Sequence, residues 1–307
     1  MSVKTFNATV NGTTLPLSYN SETGKYEAQF TAPADSSYTK DGGYYDISLI
    51  ATDSAGNSST ANSSHATLGD SLKLYVKETN KPVITELMPD TYVTNSFPTI
   101  SFKIVDNDKQ TSGYSGVDKS SVVLKINGTE VETSKISWTD TEGGYIGTYT
   151  PTTAIEDGDC VVTVDGSDFD GNAADTATVT FIIDTVSPTL SLKSPVNGLE
   201  TNESQILIEG TTDDITSKPI TIKVTVNGTD QGAVTVNNDG TFSKVVSVTT
   251  EGEYAIKVTA TDKAGHETSV TRTVVYDITP PNIKSVTIEP SNHVTTGQVY
   301  KIIVEVE

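Results

Sequence analysis

Tyr254-Ala-Ile-Lys-Val-Thr-Ala-Thr-Asp262-Lys-Ala-Gly265-His266 is the stretch whose reading decides the fold. Tyr254, Ile256, Val258 and Ala260 alternate with polar or small residues. A period of two is the pattern of a strand with one buried face. Asp262 and Gly265 close the strand as a turn, because an Asp side chain bonds its own backbone and Gly accepts positive φ. The same unit recurs twice. Tyr45, Ile47, Leu49 and Ala51 lead into Asp53-Ser-Ala-Gly56-Asn57, and Cys160, Val162, Val164 and Gly166 lead into Asp168-Phe-Asp-Gly171-Asn172. Ungapped recurrence of a whole strand and turn marks an internal repeat.

Other landmarks keep step with it. An opening strand lies between prolines in Pro82-Val-Ile-Thr-Glu-Leu-Met-Pro89, Pro188-Thr-Leu-Ser-Leu-Lys-Ser-Pro195 and Pro281-Asn-Ile-Lys-Ser-Val-Thr-Ile-Glu-Pro290. Proline suits strand ends, where its missing N–H costs no ladder bond. A second strand follows at Ile100, Phe102 and Ile104, at Ile206 and Ile208, and at Tyr300, Ile302, Val304 and Val306. Hairpin turns are marked by Asn11-Gly12-Thr13, Asn127-Gly128-Thr129 and Asn227-Gly228-Thr229. Asn-Gly supplies the two positive φ values of a type I′ turn, the strongest short hairpin signal.

In register, these landmarks define a unit of roughly 95 to 105 residues, the size of an immunoglobulin-like sandwich. The expected class is all-β: tandem immunoglobulin-like β-sandwiches in a rod, with a C-terminal two-strand remnant. The expected domains are 1-80, a sandwich lacking its first two strands; 81-186 and 187-280, two full sandwiches; and 281-307, two strands of an incomplete unit. The first unit should be complete from its Asn-Gly hairpin onward, with its last strand near Leu72, Leu74 and Val76 after a loop over 62–68. The junctions Asp184-Thr-Val-Ser-Pro188 and Asp277-Ile-Thr-Pro-Pro281 are short and Pro-containing, which makes them semi-rigid.

The 307 residues carry a formal net charge of −20, which excludes a nucleic-acid partner because phosphate repels such a surface. The single cysteine, Cys160, stands where Tyr45 and Tyr254 stand in the sister strands and reads as a buried filler. Met1-Ser-Val-Lys-Thr-Phe leads into no apolar run, so a secretory signal is not expected. No run approaches about 18 apolar residues, so membrane insertion is not expected either.

No catalytic constellation is visible, and His65, His266 and His293 accompany no nucleophile or metal-ligand spacing. No cofactor is expected, with calcium as the open case. Acidic groups gather at Asp106 and Asp108, at Asp168 and Asp170, at Asp213 and Asp214, and at Asp184 and Asp277. Hard oxygen ligands converging at a domain end hold calcium, and the best candidates are Asp168, Asp170 and Asp184. The competing reading is Asx turns and solvated loops. Trp138, Tyr145 and Tyr149 suit either a sugar-stacking platform or cross-strand packing, and Tyr38, Tyr44 and Tyr114 share the ambiguity.

A first unit short of two strands exposes sheet edges and part of its core. The strands carrying Ile283, Tyr300, Ile302, Val304 and Val306 are expected to complete the first unit of another copy by strand addition. The competing reading is a self-sufficient smaller first sandwich, with residues 61–78 filling the gap.

The Asp-x-Ala-Gly-Asn/His turns, the Asp…Pro junctions and the Asn-Gly-Thr hairpins resemble bacterial Ig-like repeats, which build adhesin stalks and virion decorations. Met1-Ser-Val-Lys-Thr-Phe-Asn-Ala-Thr-Val-Asn-Gly12, Tyr19-Asn-Ser-Glu-Thr-Gly-Lys-Tyr26-Glu-Ala28, Leu68-Gly-Asp-Ser-Leu-Lys-Leu74 and Val76-Lys-Glu78 resemble tandem Ig-like tail proteins of phages and prophages of Gram-positive gut bacteria. The resemblance implies a structural protein or an aid to adsorption on cell-surface glycans. It brings no catalytic residues. The expected partners are further copies, phage tail proteins and cell-surface polysaccharide. The expected location is the virion, which a protein without an export signal reaches from the host cytoplasm. The alternatives are a stalk fragment of a bacterial surface adhesin, or a carbohydrate-binding module.

Overall fold

The three Asn-Gly pairs set the repeat in the computed structural model. Asn11, Asn127 and Asn227 have φ of 47°, 48° and 48°, and Gly12, Gly128 and Gly228 follow at 78°, 78° and 81°. Both residues of each pair are left-handed, as a type I′ turn demands. The structure describes residues 3–106, 113–290 and 292–307. It divides into two compact units, Met1–Thr185 and Val186–Glu307.

In the first unit the chain forms β1 (Val3–Val10), β2 (Thr13–Pro16), β3 (Ser18–Asn20), β4 (Lys25–Glu27), β5 (Tyr45–Asp53), β6 (Ser58–Ala61) and β7 (Lys73–Leu74). It continues through β8 (Val83–Met88), β9 (Tyr92–Val93), β10 (Ile100–Val105), β11 (Val117–Ile126), β12 (Thr129–Val131), β13 (Ser137–Thr141), β14 (Gly144–Tyr149), β15 (Gly158–Asp168) and β16 (Ala177–Ile183). Strands β8 to β16 form a sandwich of two sheets, ordered β13-β14-β10-β8 and β12-β11-β15-β16-β9. After opening strand β8 the chain crosses to the other sheet, where β9 pairs parallel to β16. The inward row of β10 (Ile100, Phe102, Ile104) meets that of β15 (Cys160, Val162, Val164), and all six are at most 1 % exposed. Gly147 makes room for the Phe102 ring, since an added Cβ would sit 2.4 Å from it.

The second unit repeats the plan with β17 (Thr189–Ser194), β18 (Leu199–Thr201), β19 (Gln205–Asp213), β20 (Thr221–Val226), β21 (Thr229–Asp230), β22 (Thr241–Ser247), β23 (Gly252–Thr261) and β24 (Glu267–Tyr276). Its sheets are β17-β19-β22 and β18-β24-β23-β20-β21, with β18 parallel to β24. Ile256, Val258 and Ala260 of β23 are fully buried. Then come β25 (Ile283–Glu289) and β26 (Lys301–Val306), an antiparallel pair forming a sheet of their own. The chain is thus all-β, with tandem two-sheet sandwiches of immunoglobulin-like strand order.

The first sandwich departs from the expected plan in two ways. Strands β1, β2, β5 and β6 reproduce the order of β11, β12, β15 and β16. However, β3 and β4 form only a small separate hairpin, held by Tyr26 against Phe6 at 5.7 Å and against Tyr19 at 5.4 Å. The last strand is also split. β6 pairs with β5 over residues 49–52, and β7 resumes on the same strand at Tyr45 and Asp46, with the intervening residues looped out. Of the residues expected in the last strand, Leu74 lies in β7, its second half, while Leu72 ends a 3-10 turn just before it and Val76 follows it; Ser58–Ala61 already fills the first half. The core is correspondingly thin: Val10, Tyr45 and Val76 are buried together, while Ile47 and Leu49 stay half-buried.

Ile256 and Ile47 hold the same place in the repeat but not the same burial. We expect Ile256→Ala to cost about 2–5 kcal/mol, as for a fully buried aliphatic, and Ile47→Ala to cost clearly less. Urea unfolding followed by circular dichroism measures both.

Candidate functional site

The feature with the most unusual chemistry lies where the first sandwich hands over to the next. Asp106 directly follows β10. Its Oδ2 accepts the N–H of Gly116 at 2.6 Å and of Ser115 at 3.1 Å, which pins the approach to β11. Asp168 ends β15 and begins the repeated Asp-x-x-Gly turn. Its Oδ1 accepts the N–H of Asn172 at 2.8 Å, and its Oδ2 accepts Asn172 Nδ2–H at 2.7 Å. Glu78 arrives from the segment after β7. Its Oε1 accepts Asn172 Nδ2–H at 2.9 Å and its Oε2 accepts the N–H of Asn80. Only 7 %, 7 % and 2 % of Glu78, Asp106 and Asp168 are exposed. One carboxylate oxygen from each lies within 4.8 Å of the others.

Three buried carboxylates repel one another and lose hydration, so they shift their proton equilibria. Burial, then the hydrogen bond to Asp168, raises the Glu78 pKa to about 7. Asp106 is also raised, chiefly by burial. Burial opposes ionisation of Asp168 too, but hydrogen bonds from Glu78 and Asn172 outweigh it and hold its pKa below the usual value. In metal-free water Glu78 therefore holds its proton up to about pH 7, and Asp168 is the more acidic member of the pair.

Neighbouring contacts tie the same two segments together. Lys77 Nζ–H donates to the Asp170 carbonyl at 3.0 Å, and the Glu78 N–H donates to Asp170 Oδ2 at 3.0 Å. Asn80 Nδ2–H donates to the Gly113 carbonyl at 2.7 Å, and Lys81 pairs with Asp175 at 2.8 Å. Tyr38 of the first sandwich stacks on Phe169 with ring centroids 4.3 Å apart.

The structure sorts the sequence candidates. Asp168 lies in the cluster and Asp170 flanks it. Asp184 does not join them. Gly158 pairs with Ile183, so Asp184 lies at the far end of β15, roughly 30 Å from Asp168 at strand rise. The three do not share one cation. Asp184 is buried, and its N–H donates to the Val93 carbonyl at 2.9 Å. Asp213 pairs with Lys218 at 2.7 Å, Asp214 caps the N–H groups of Thr216 and Ser217, and Asp277 caps Thr279. These are turn roles. Asp108 lies outside the described residues. Trp138 packs edge-on against Phe102 and Tyr145, and with Tyr145 and Tyr149 leans on the sandwich core. That is cross-strand packing, not an open platform. Cys160 is buried, which raises its thiol pKa. Sequence reasoning missed Glu78, because it obeys no repeat; the only signal was a charged segment, Lys77-Glu78-Thr-Asn80, ahead of Pro82.

The family model of glucodextranase domain B matches residues 188–278. No curated protein matches the chain. Among solved structures, fibronectin(III)-like modules of Clostridium thermocellum CbhA are 17% identical with a TM-score of 0.37, over 63% of this chain and 94% of theirs. Sidekick-1 immunoglobulin domains 1-5 are 12% identical with a TM-score of 0.39, over 99% of this chain and 60% of theirs. A Bacteroides ovatus SGBP-B, solved with a mixed-linkage heptasaccharide, is 12% identical with a TM-score of 0.23, over 92% of this chain and 62% of its own.

Glu78 makes stability depend on pH. Its folded pKa is raised, so its contribution is fully present below about 4.5 and is lost as pH rises through about 7. Asp106 reinforces this trend, Asp168 acts oppositely at lower pH, and Asp170 and Lys77 complete the surrounding charges. In metal-free buffer the melting temperature of Met1–Thr185 should fall between these pH values. Glu78→Gln should flatten that slope in a calorimetric pH series.

Proposed function

We propose that the chain is a non-enzymatic structural and adhesion protein. In this reading it is a phage or prophage tail component in the virion, which assembles with copies of itself or with tail proteins and meets host-surface glycans. The observation that carries the reading is the β25–β26 pair. Register places Ile283, Val286, Ile288, Ile302, Val304 and Val306 on one face, opposite a more polar face carrying Ser285, Thr287, Ile303 and Glu305. Ile283, Ile302, Val304 and Val306 are 63 %, 55 %, 48 % and 60 % exposed, and Tyr300 beside them is 51 % exposed. The corresponding strand β10 buries its apolar row completely.

An isolated two-stranded sheet is marginal in water, and an uncovered apolar face marks an interaction surface. The first sandwich offers the complement. Among the described residues it has no counterpart of the β8–β10 pair, and β5 is left half-covered where β15 and β23 are sealed. A β25–β26 pair seated on the first sandwich of a second copy covers both surfaces. Such head-to-tail contacts are heterologous and give rings or filaments.

Light scattering on the full chain tests this. The wild type should form a defined multimer, and Ile302→Asp with Val304→Asp should reduce it to the 32.5 kDa monomer. A wild type that stays monomeric at every concentration overturns the reading.

A further inference from the structure

We propose that Glu78, Asp106 and Asp168 form a calcium site that clamps the segment leaving the first sandwich onto the end of the next. The geometry suits one ion. Each residue brings a carboxylate oxygen within 4.8 Å of the other two. Oxygens on one calcium, each 2.3–2.6 Å from it, lie no more than about 5 Å apart.

An independent observation comes from Asp106. It is 7 % exposed, and its Oδ1 has no hydrogen-bond partner, although Oδ2 has two. A carboxylate oxygen that deep has lost its water and gained no donor, a costly state unless something positive meets it. Among the described residues, no Lys or Arg ion pair reaches Glu78, Asp106 or Asp168. The nearby ammonium of Lys77 is spent on the Asp170 carbonyl. A divalent cation supplies what the protein does not.

The donor set narrows the ion. All-oxygen carboxylate ligands favour hard cations over zinc or copper. Magnesium dehydrates reluctantly and keeps several waters, whereas calcium accepts several carboxylates in irregular geometry. Asp170 belongs to the support rather than the ligand set, since its Oδ2 holds the Glu78 N–H and so sets where Glu78 points. The site joins Glu78, which follows β7, to Asp106 and Asp168, which end β10 and β15. Calcium would therefore stiffen the arrangement of two sandwiches within Met1–Thr185, a role separate from association through β25–β26.

Isothermal titration of the chelator-treated full chain with calcium chloride, paired with thermal melts, decides the matter. Asp106→Asn keeps an acceptor for Ser115 and Gly116 but places an amide where the orphaned oxygen was. It should melt higher than wild type without calcium, take up one equivalent fewer, and lose the calcium-induced rise of the Met1–Thr185 transition. Asp140→Asn, at an exposed position, should titrate like wild type. Glu78→Gln serves as the second variant if Asp106→Asn loses its β-sheet dichroism. No calcium response in wild type at 10-fold the millimolar range, about 10 mM, overturns the proposal. So does an undiminished stoichiometry in the folded variant.

Discussion

A sheet with one apolar face must bury that face against a second sheet, and this requirement organises every part of the chain. Alternation with a period of two creates the face, and the Asn-Gly and Asp-x-x-Gly turns return the strands that extend it. Where a covering sheet exists, as over Cys160, Val162 and Val164 or over Ile256, Val258 and Ala260, the row is sealed. Where it does not, residues of the same pattern stay half in water, as at Ile47 and Leu49 and along β25–β26. The difference is not in local sequence but in what lies opposite.

The polar ends of the strands carry a second layer of design. Each Asp-x-x-Gly turn satisfies its own backbone through the Asp carboxylate, as in Asp53 accepting from Ala55 and Asn57, and Asp262 from Gly265 and His266. In the Asp168 copy the same turn faces Asp106 and Glu78, and an element that is local elsewhere becomes part of a buried cluster. Repetition supplies the carboxylate, and the handover between sandwiches supplies its company. Glu78 thus acts at a junction while the repeated residues around it hold their turn geometry.

Cross-strand packing likewise converted ambiguous residues into structural ones. Trp138 is wedged beside Phe102 and Tyr145, while Tyr38 reaches across to Phe169. Neither is positioned as a free stacking surface. These aromatic residues therefore belong to the sheets and to the contact between sandwiches.

By itself the sequence determined the all-β class, the repeat, the hairpins and the inward rows. These depend on periodicity and turn chemistry over a few residues, which a single strand can display. It also marked Asp168 and Asp170 as residues of a domain end. Tertiary structure alone decided that Asp184 stands apart from them, because antiparallel pairing of β15 with β16 carries it the length of a strand away. It alone recruited Glu78, split the last strand of the first sandwich into β6 and β7, and left β25–β26 uncovered. Each of those outcomes depends on which distant segments meet, and pairing between distant segments leaves no periodic trace in either one.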